Sequence, residues 1–94
     1  MKNRITSKLL ERGVKSSCRG FPIIVRCLEI ALSLDYVLVT KDVYPVVARE
    51  QGVSPAALEA RVRRTLTRSG IGMTNLEFVT DFVTRFNSDG NSPK

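Results

Sequence analysis

The sequence predicts an all-α protein, a compact bundle of about five helices that contains a helix-turn-helix. Apolar residues recur every three or four positions in the longer segments, which is typical of amphipathic helices. Ser, Thr, Pro and Gly stand where these segments begin and end. The chain has 94 residues, of which 43% are apolar, and this is enough for one domain with one modest core.

The first helix is predicted over Arg4–Arg12. Gly13 ends it, and a loop follows up to the next helix. Ile5 and Leu9 are four residues apart and are expected to face the core, with Leu10 as a further candidate.

The second helix is predicted over Gly20–Leu34, the most apolar stretch of the chain. Its polar residues Arg26, Glu29 and Ser33 are three and four residues apart, so they form one narrow polar stripe. The rest of this helix is expected to be the buried centre of the domain. Arg26 is expected to be a surface or salt-bridged residue, with a phosphate contact as the alternative.

Two helices joined by a short turn are predicted over 40–51 and 54–68. The first begins with Thr40 as N-cap and stops at Gly52, which tolerates the left-handed conformation. The second begins with Ser54 as N-cap and Pro55 in its first turn, and it ends at Arg68. Such a pair is the helix-turn-helix pattern, with 40–51 as scaffold helix and 54–68 as recognition helix.

Pro45 complicates the start of the scaffold helix. Proline lacks an N–H, and its ring collides with the carbonyl four residues earlier. Either the helix bends at Pro45, or it begins there and the preceding turn is looser. Residues 35–39 are interpreted as a connector between this helix and the one before it.

The last helix opens with a capping box formed by Thr74 and Glu77, in which each side chain bonds the other residue's backbone N–H. The stretch after this helix is polar and contains Gly and Pro, so residues 87–94 are predicted to be a flexible tail and residues 1–86 the single domain. One face of the helix carries an apolar stripe that is expected to pack in the core: Val79, Phe82, Val83 and Phe86.

Composition argues against several classes of protein. There are two cysteines and no histidine, so neither a zinc site nor the commonest general base is available. We therefore expect no metal, no cofactor and no enzymatic activity. No apolar run is long enough to cross a membrane, and the N-terminus lacks an apolar signal core, so a cytoplasmic protein without a membrane partner is expected.

The net charge of +6 is concentrated in two parts of the chain, the first nineteen residues and the stretch Arg61–Arg68. Such clusters suit a polyanionic partner, although they also serve solubility. Charge alone favours neither the polyanionic partner nor the solubility interpretation. The helix-turn-helix pattern favours double-stranded DNA. For Arg12, Arg49 and Arg85, a solvated surface position is expected.

The phase of the recognition helix divides its residues at about 100° per residue. Leu58, Val62 and Leu66 define the buried side. Arg61 and Arg68 fall on a flank that suits phosphates or acidic partners. The open side is shared by Ala56, Glu59, Ala60, Arg63, Arg64 and Thr67.

The chain resembles the C-terminal DNA-binding effector domain of the stage zero sporulation protein A family, the master response regulators of sporulation. Five pieces carry the resemblance, in the family's order and across nearly the whole chain: Ile5-Thr6-Ser7 with Gly13-Val14, Arg19-Gly20-Phe21, Thr40-Lys41 with Tyr44-Pro45, Leu58-Glu59 through Val62-Arg63, and Thr74-Asn75 with Glu77-Phe78.

The resemblance implies that the recognition helix enters the major groove. Glu59 and Arg63 match base-contacting residues of the family, and Ala60 replaces a contacting arginine, so an altered or weaker sequence preference is expected. Thr40 and Lys41 are implied to lie near the DNA backbone. The further residues assigned to backbone contacts are Ser54, Arg64, Thr67 and Arg19.

The sequence departs from the family in two further features, a helix before the last one and the receiver domain. Only Ser69–Met73 joins the recognition helix to the last helix, where the family has a further helix, and this puts self-association on DNA in doubt. The receiver domain of the family is also not seen in this sequence. Two hypotheses follow, a sequence-preferring DNA-binding transcription regulator and, as the alternative, a protein-interaction module that binds or antagonises a full-length regulator.

Overall fold

Five α-helices make up the part of the chain that the structure describes, residues 2–34 and 39–90 of a computed structural model. For residues 2, 39, 40, 89 and 90 only the backbone is described. A short π-helix, Val39–Val43, runs directly into the third helix, and no strand occurs within these ranges, so the predicted all-α class is confirmed. The α-helices are α1 (Lys2–Glu11), α2 (Gly20–Ser33), α3 (Tyr44–Gln51), α4 (Pro55–Arg68) and α5 (Asn75–Gly90).

The helix α2 lies at the centre of the bundle and contacts each of the other four helices. Eight of its fourteen residues are buried, which confirms the prediction of a central helix. The polar stripe lies at the surface, where Arg26 and Ser33 are exposed and Glu29 is half-buried. The apolar majority of the sequence between residues 20 and 33 is thus explained by contacts on nearly all sides.

Arg26 makes a two-pronged ion pair with Glu50 that ties α2 to α3. The distances are 2.9 Å from Nε to Oε1 and 2.8 Å from Nη2 to Oε2, and Glu29 lies 3.5 Å away on the same helix. The guanidinium lowers the pKa of the Glu50 carboxyl, and the hydrogen bond to Glu50 raises the pKa of Arg26. The salt-bridge interpretation of Arg26 is therefore confirmed.

The helices α1 and α5 close the bundle. Ile5 and Leu9 are fully buried as predicted, but Leu10 is 50% exposed, so its assignment to the core was wrong. Arg12 lies just beyond α1, with its guanidinium 5.0 Å from the Phe82 ring centroid and 2.8 Å from the Asp81 carboxylate. The prediction of a solvated position for Arg12 was therefore wrong, because its side chain packs on phenylalanine rings of α5.

The start of α3 corrects one prediction. Residues 39–43 are π-helical, the α-helix begins at Tyr44, and its N-cap is Val43 rather than Thr40. The reason is Pro45, whose missing N–H and bulky ring are tolerated only in the first turn of an α-helix. Of the two alternatives for Pro45, the later helix start is confirmed. Residues 35–38 of the predicted connector lie outside the described residues.

The turn between α3 and α4 follows the sequence closely. Gly52 has a left-handed backbone with φ of 70° and ψ of 32°. Ser54 is the N-cap of α4, and its hydroxyl accepts the Ala57 N–H at 3.1 Å. The predicted boundaries of α4, Pro55 and Arg68, are both confirmed.

The helix α5 begins with the predicted capping box. The Thr74 N–H donates to Glu77 Oε1 at 2.9 Å, and the Glu77 N–H donates to Thr74 Oγ1 at 3.1 Å. The helix then runs to Gly90, so residues 87–90, predicted as part of the tail, are helical. Residues 91–94 lie outside the described ranges.

Candidate nucleic-acid interface

One side of α4 packs on the core, and most of its charged residues reach solvent. Leu58, Val62 and Leu66 are buried as predicted, and the buried Thr65 lies beside them. All four arginines of the helix are exposed: Arg61, Arg63, Arg64 and Arg68. The core therefore holds in place a helix whose outer surface is strongly basic.

A groove of about 830 Å³ lies between α4 and the loop that precedes α2. We call it the basic groove, because five cationic side chains line it. The loop supplies Lys15 and Arg19, and α4 supplies Arg61, Arg64 and Arg68. Residues from both basic clusters of the sequence thus meet in one place. The remaining lining residues are Ser17, Cys18, Gly20 and Thr65.

The structure groups the arginines of α4 differently from the prediction. The predicted division places Arg64 with Arg63 on the open side, yet Arg64 lines the basic groove with Arg61 and Arg68. These three are three and four residues apart, so they succeed one another along one side of the helix. Arg64 lies only about 60° from Arg61 around the axis, and its long side chain reaches the groove. The division was wrong for Arg64, whereas the pairing of Arg61 with Arg68 is confirmed.

Hydrogen bonds fix the loop against the end of α4. The Lys15 N–H donates to Ser69 Oγ at 2.9 Å, and the Ser69 hydroxyl donates to the Thr65 carbonyl at 2.8 Å. Because Ser69 follows the last residue of α4, it connects the two walls of the basic groove. The distance between the backbones of the two walls is therefore set by the fold.

Gly20 marks the closest approach of α2 to α4. A Cβ atom at this position would collide with the Thr65 side chain and would lie 2.9 Å from the Arg61 carbonyl oxygen. Glycine therefore allows α2 to begin within the groove, where the helix N-terminus carries a partial positive charge. The N-cap residue, Arg19, makes no side-chain capping hydrogen bond there.

The cations of the basic groove differ from Arg12 and Arg26 in their surroundings. Arg12 and Arg26 are paired with carboxylates at 2.8 Å. Across the described ranges, no carboxylate pairs with any of the five cations of the groove. Unpaired cations around a concave surface create a positive potential that attracts polyanions.

The predicted base-contacting residues lie on α4 but do not line the basic groove. Arg63 is exposed, and Glu59 and Ala60 are half-buried. The start of α5 lies against this flank, since the Asn75 side-chain amide donates to the Glu59 carbonyl at 3.0 Å. The start of α5 therefore borders the flank that carries Glu59 and Arg63, while the loop before α2 borders the flank that lines the basic groove.

Tyr44 is buried beneath the flank of α4 that carries Glu59 and Arg63. Burial raises the pKa of its hydroxyl to about 12, and the Glu59 and Arg63 charges act on it in opposite directions. The Tyr44 hydroxyl oxygen and Asn75 Oδ1 are both buried without a hydrogen-bond partner among the residues described. Packing, rather than a complete set of hydrogen bonds, therefore holds the residues beneath this flank in place.

The predicted backbone-contacting residues are only partly brought together. Arg19 and Arg64 meet in the basic groove. Lys41 is exposed on the π-helix, and Thr67 is exposed on α4. The hydroxyl of Ser54 is engaged in capping α4, and the side chain of Thr40 lies outside the described residues.

Lys15 and Ser69 were missed by sequence reasoning. Lys15 belongs to the first basic cluster, which was the one available signal, but its position depends on a hydrogen bond to a residue 54 positions away. No local pattern predicts such a contact.

The connection between α4 and α5 contains no helix, as predicted from the shortness of this segment.

Comparisons of the chain with protein-family models, with curated proteins and with solved structures found no match. Among the helices described, none combines the length and the apolar character needed to cross a membrane.

Proposed function

We propose that this protein binds double-stranded DNA through α4, with α3 and α4 acting as a helix-turn-helix. The observation that carries the proposal is the set of exposed arginines on α4, for which no carboxylate partner occurs among the described residues. Arginine side chains bind phosphates and guanine edges through two parallel hydrogen bonds. A short helix pair that presents such a surface suits the major groove, which admits one α-helix.

Sequence preference is assigned to the flank that carries Glu59 and Arg63. A carboxylate accepts a hydrogen bond from a cytosine amino group, and an arginine binds guanine through two hydrogen bonds. Ala60 offers neither contact, so a weaker or shifted preference is part of the proposal. Lys41 and Thr67, both exposed, and Thr40 and Ser54 are proposed to lie near the DNA backbone.

By its resemblance to the stage zero sporulation protein A effector domain, the protein is proposed to regulate transcription, with sporulation as the setting that the resemblance suggests. Such a regulator would act in the cytoplasm, where bacterial DNA lies. The resemblance also suggests self-association on neighbouring DNA sites, but the absence of a helix between α4 and α5 argues against it.

The test is a titration of fluorescent duplexes with the full chain at several salt concentrations. One duplex is selected by the protein from a random pool, and the other is an unselected sequence. We expect the affinity to fall steeply as salt rises, because bound cations release counterions from the phosphates. Absence of binding at low salt, or binding that salt leaves unchanged, would refute the proposal.

Arg63→Ala is expected to reduce discrimination between the two duplexes by about 1–3 kcal/mol. Arg85→Ala is the matched control, because it removes the same charge from α5, where Arg85 is exposed. This control should leave discrimination unchanged. An equal loss of affinity for both duplexes in Arg63→Ala would mean that Arg63 contacts no base.

A second candidate function is a protein-interaction module, and exposed apolar residues at the start of α5 and just before it favour it. Leu76 is 60% exposed and Met73 is 37% exposed. Under this alternative, the protein forms a complex with a full-length regulator of the resembled family without DNA, and Leu76→Ser weakens it. Sedimentation velocity would measure the complex, with Leu10→Ser, on the exposed side of α1, as control. A complex equally sensitive to both substitutions would count against this surface.

A further inference from the structure

We propose that the basic groove holds the backbone phosphates of one DNA strand and supplies the part of the affinity that does not depend on base sequence. The inference rests on the proposed DNA binding and assigns separate tasks to the two flanks of α4. The groove-lining flank of Arg61, Arg64 and Arg68 would grip the backbone. The opposite flank, with Glu59 and Arg63, would meet the bases.

The dimensions of α4 and of the major groove support this division. A helix with its side chains is about 10–12 Å across, and the major groove is about 12 Å wide. When a helix enters it, the flank of Arg61, Arg64 and Arg68 therefore faces one wall that the phosphates form, while Arg63, on the other side, is long enough to reach the base edges on the floor between the walls. From Arg61 to Arg68 the helix rises about 10 Å, and successive phosphates of one strand are about 3.4 Å apart along the duplex axis. The flank is thus long enough to meet more than one phosphate.

The loop before α2 makes this flank a groove rather than a flat patch. Lys15 and Arg19 stand on the wall opposite the arginines of α4, so a strand lying in the groove would meet cations from two directions. No described carboxylate has to be displaced before a phosphate binds. The volume of about 830 Å³ leaves room for phosphate and sugar groups together.

Ser69 is assigned as a positioning residue for the groove. Its hydroxyl accepts the Lys15 N–H and donates to the Thr65 carbonyl, so the loop is held at a fixed distance from α4 before any ligand arrives. Preorganised cations bind more tightly, because less conformational entropy is lost on association. Ser69 itself need not touch the DNA.

The experiment measures salt dependence with the full chain and the same two duplexes. The variant Arg61→Ala with Arg68→Ala is compared with Arg49→Ala and Arg85→Ala, two exposed arginines outside the groove, so that both doubles lose two positive charges. We expect the groove variant to reduce the magnitude of the salt slope by about two and the affinity by about tenfold per arginine at 0.1 M salt. Both duplexes should be affected alike, and the control double should stay near the wild type.

Ser69→Ala is expected to weaken binding to both duplexes while the salt slope stays unchanged, because the cations remain but are less well placed. Unfolding curves for every variant establish that the fold is intact. The inference is overturned if the groove variant keeps the wild-type slope, or if it loses discrimination instead of overall affinity. If the wild-type protein binds no duplex at all, it is the proposed function that fails.

Discussion

Replacing Gly20 by alanine is expected to lower the free energy of unfolding by about 2–3 kcal/mol, at the upper end of what overpacking costs. The added Cβ would meet the Thr65 side chain and the Arg61 carbonyl oxygen. Neither can move easily, because Thr65 is buried and its hydroxyl donates to that same carbonyl at 3.0 Å. To accommodate the methyl group, the start of α2 has to move away from α4, and this disturbs both the core and the basic groove.

The measurement is thermal or denaturant unfolding of Gly20→Ala beside Gly72→Ala. Gly72 has open space where its Cβ would lie and no positive φ, so its substitution changes the same atoms without a collision. For a domain of this size, each kcal/mol shifts the melting temperature by about 4–8 °C, so Gly20→Ala should melt about 8–24 °C lower. Equal melting temperatures of the two variants would show that α2 and α4 do not approach as closely as described.

Local patterns correctly predicted the bounds and the N-cap of α4 and the glycine that ends α3, because the residues involved act within one turn of helix. Ser54 caps its own helix, and Gly52 adopts φ of 70° without help from distant residues. The start of α3 shows the limit of such patterns. Thr40 is a good N-cap residue, but Pro45 imposes the stronger constraint and places the α-helix start at Tyr44.

Tertiary contacts explain what the sequence left undecided. Arg12 was expected to face water, but its guanidinium lies 5.0 Å from the ring centroid of Phe82 and 5.5 Å from that of Phe78, both on α5. Likewise, no periodicity connects Lys15 to Ser69. Only one wall of the candidate site was therefore predictable from the sequence. The basic helix follows from its own sequence, whereas the groove exists only because a loop distant in sequence packs against that helix.

Stability is expected to fall in alkaline solution, because the Cys27 thiol loses its proton at lower pH in the unfolded chain than in the folded protein. Cys27 is 2% exposed, and burial raises its pKa from an ordinary value of 9.0 to about 12, with the Glu50 carboxylate adding to the effect. Above pH 9 the unfolded chain therefore releases a proton that the folded protein retains. Unfolding is then favoured by about 1.4 kcal/mol per pH unit until the folded pKa is reached.

Tyr44 adds to this loss in a narrower range. Burial raises its pKa from 10.0 to about 12, so it contributes from pH 10 upward with the same sign. The two groups together should remove several kcal/mol by pH 11, a large share of the 5–15 kcal/mol typical of a domain. Below pH 9 neither group titrates in either state, and their contribution to stability is fully present.

Denaturant unfolding at pH 7, 9, 10 and 11 would measure this loss in the wild type, Cys27→Ala and Cys18→Ala. Cys27→Ala is expected to be less stable at pH 7, because it leaves a small cavity, but to lose about 3 kcal/mol less between pH 9 and 11. Cys18→Ala removes a half-exposed thiol outside the core and should follow the wild type. The groups other than the two cysteines are common to all three proteins, so their contribution cancels in the comparison. Parallel pH profiles of the wild type and Cys27→Ala would mean that water reaches the thiol in the folded protein, and the close packing of α2 against its neighbours would then have to be revised.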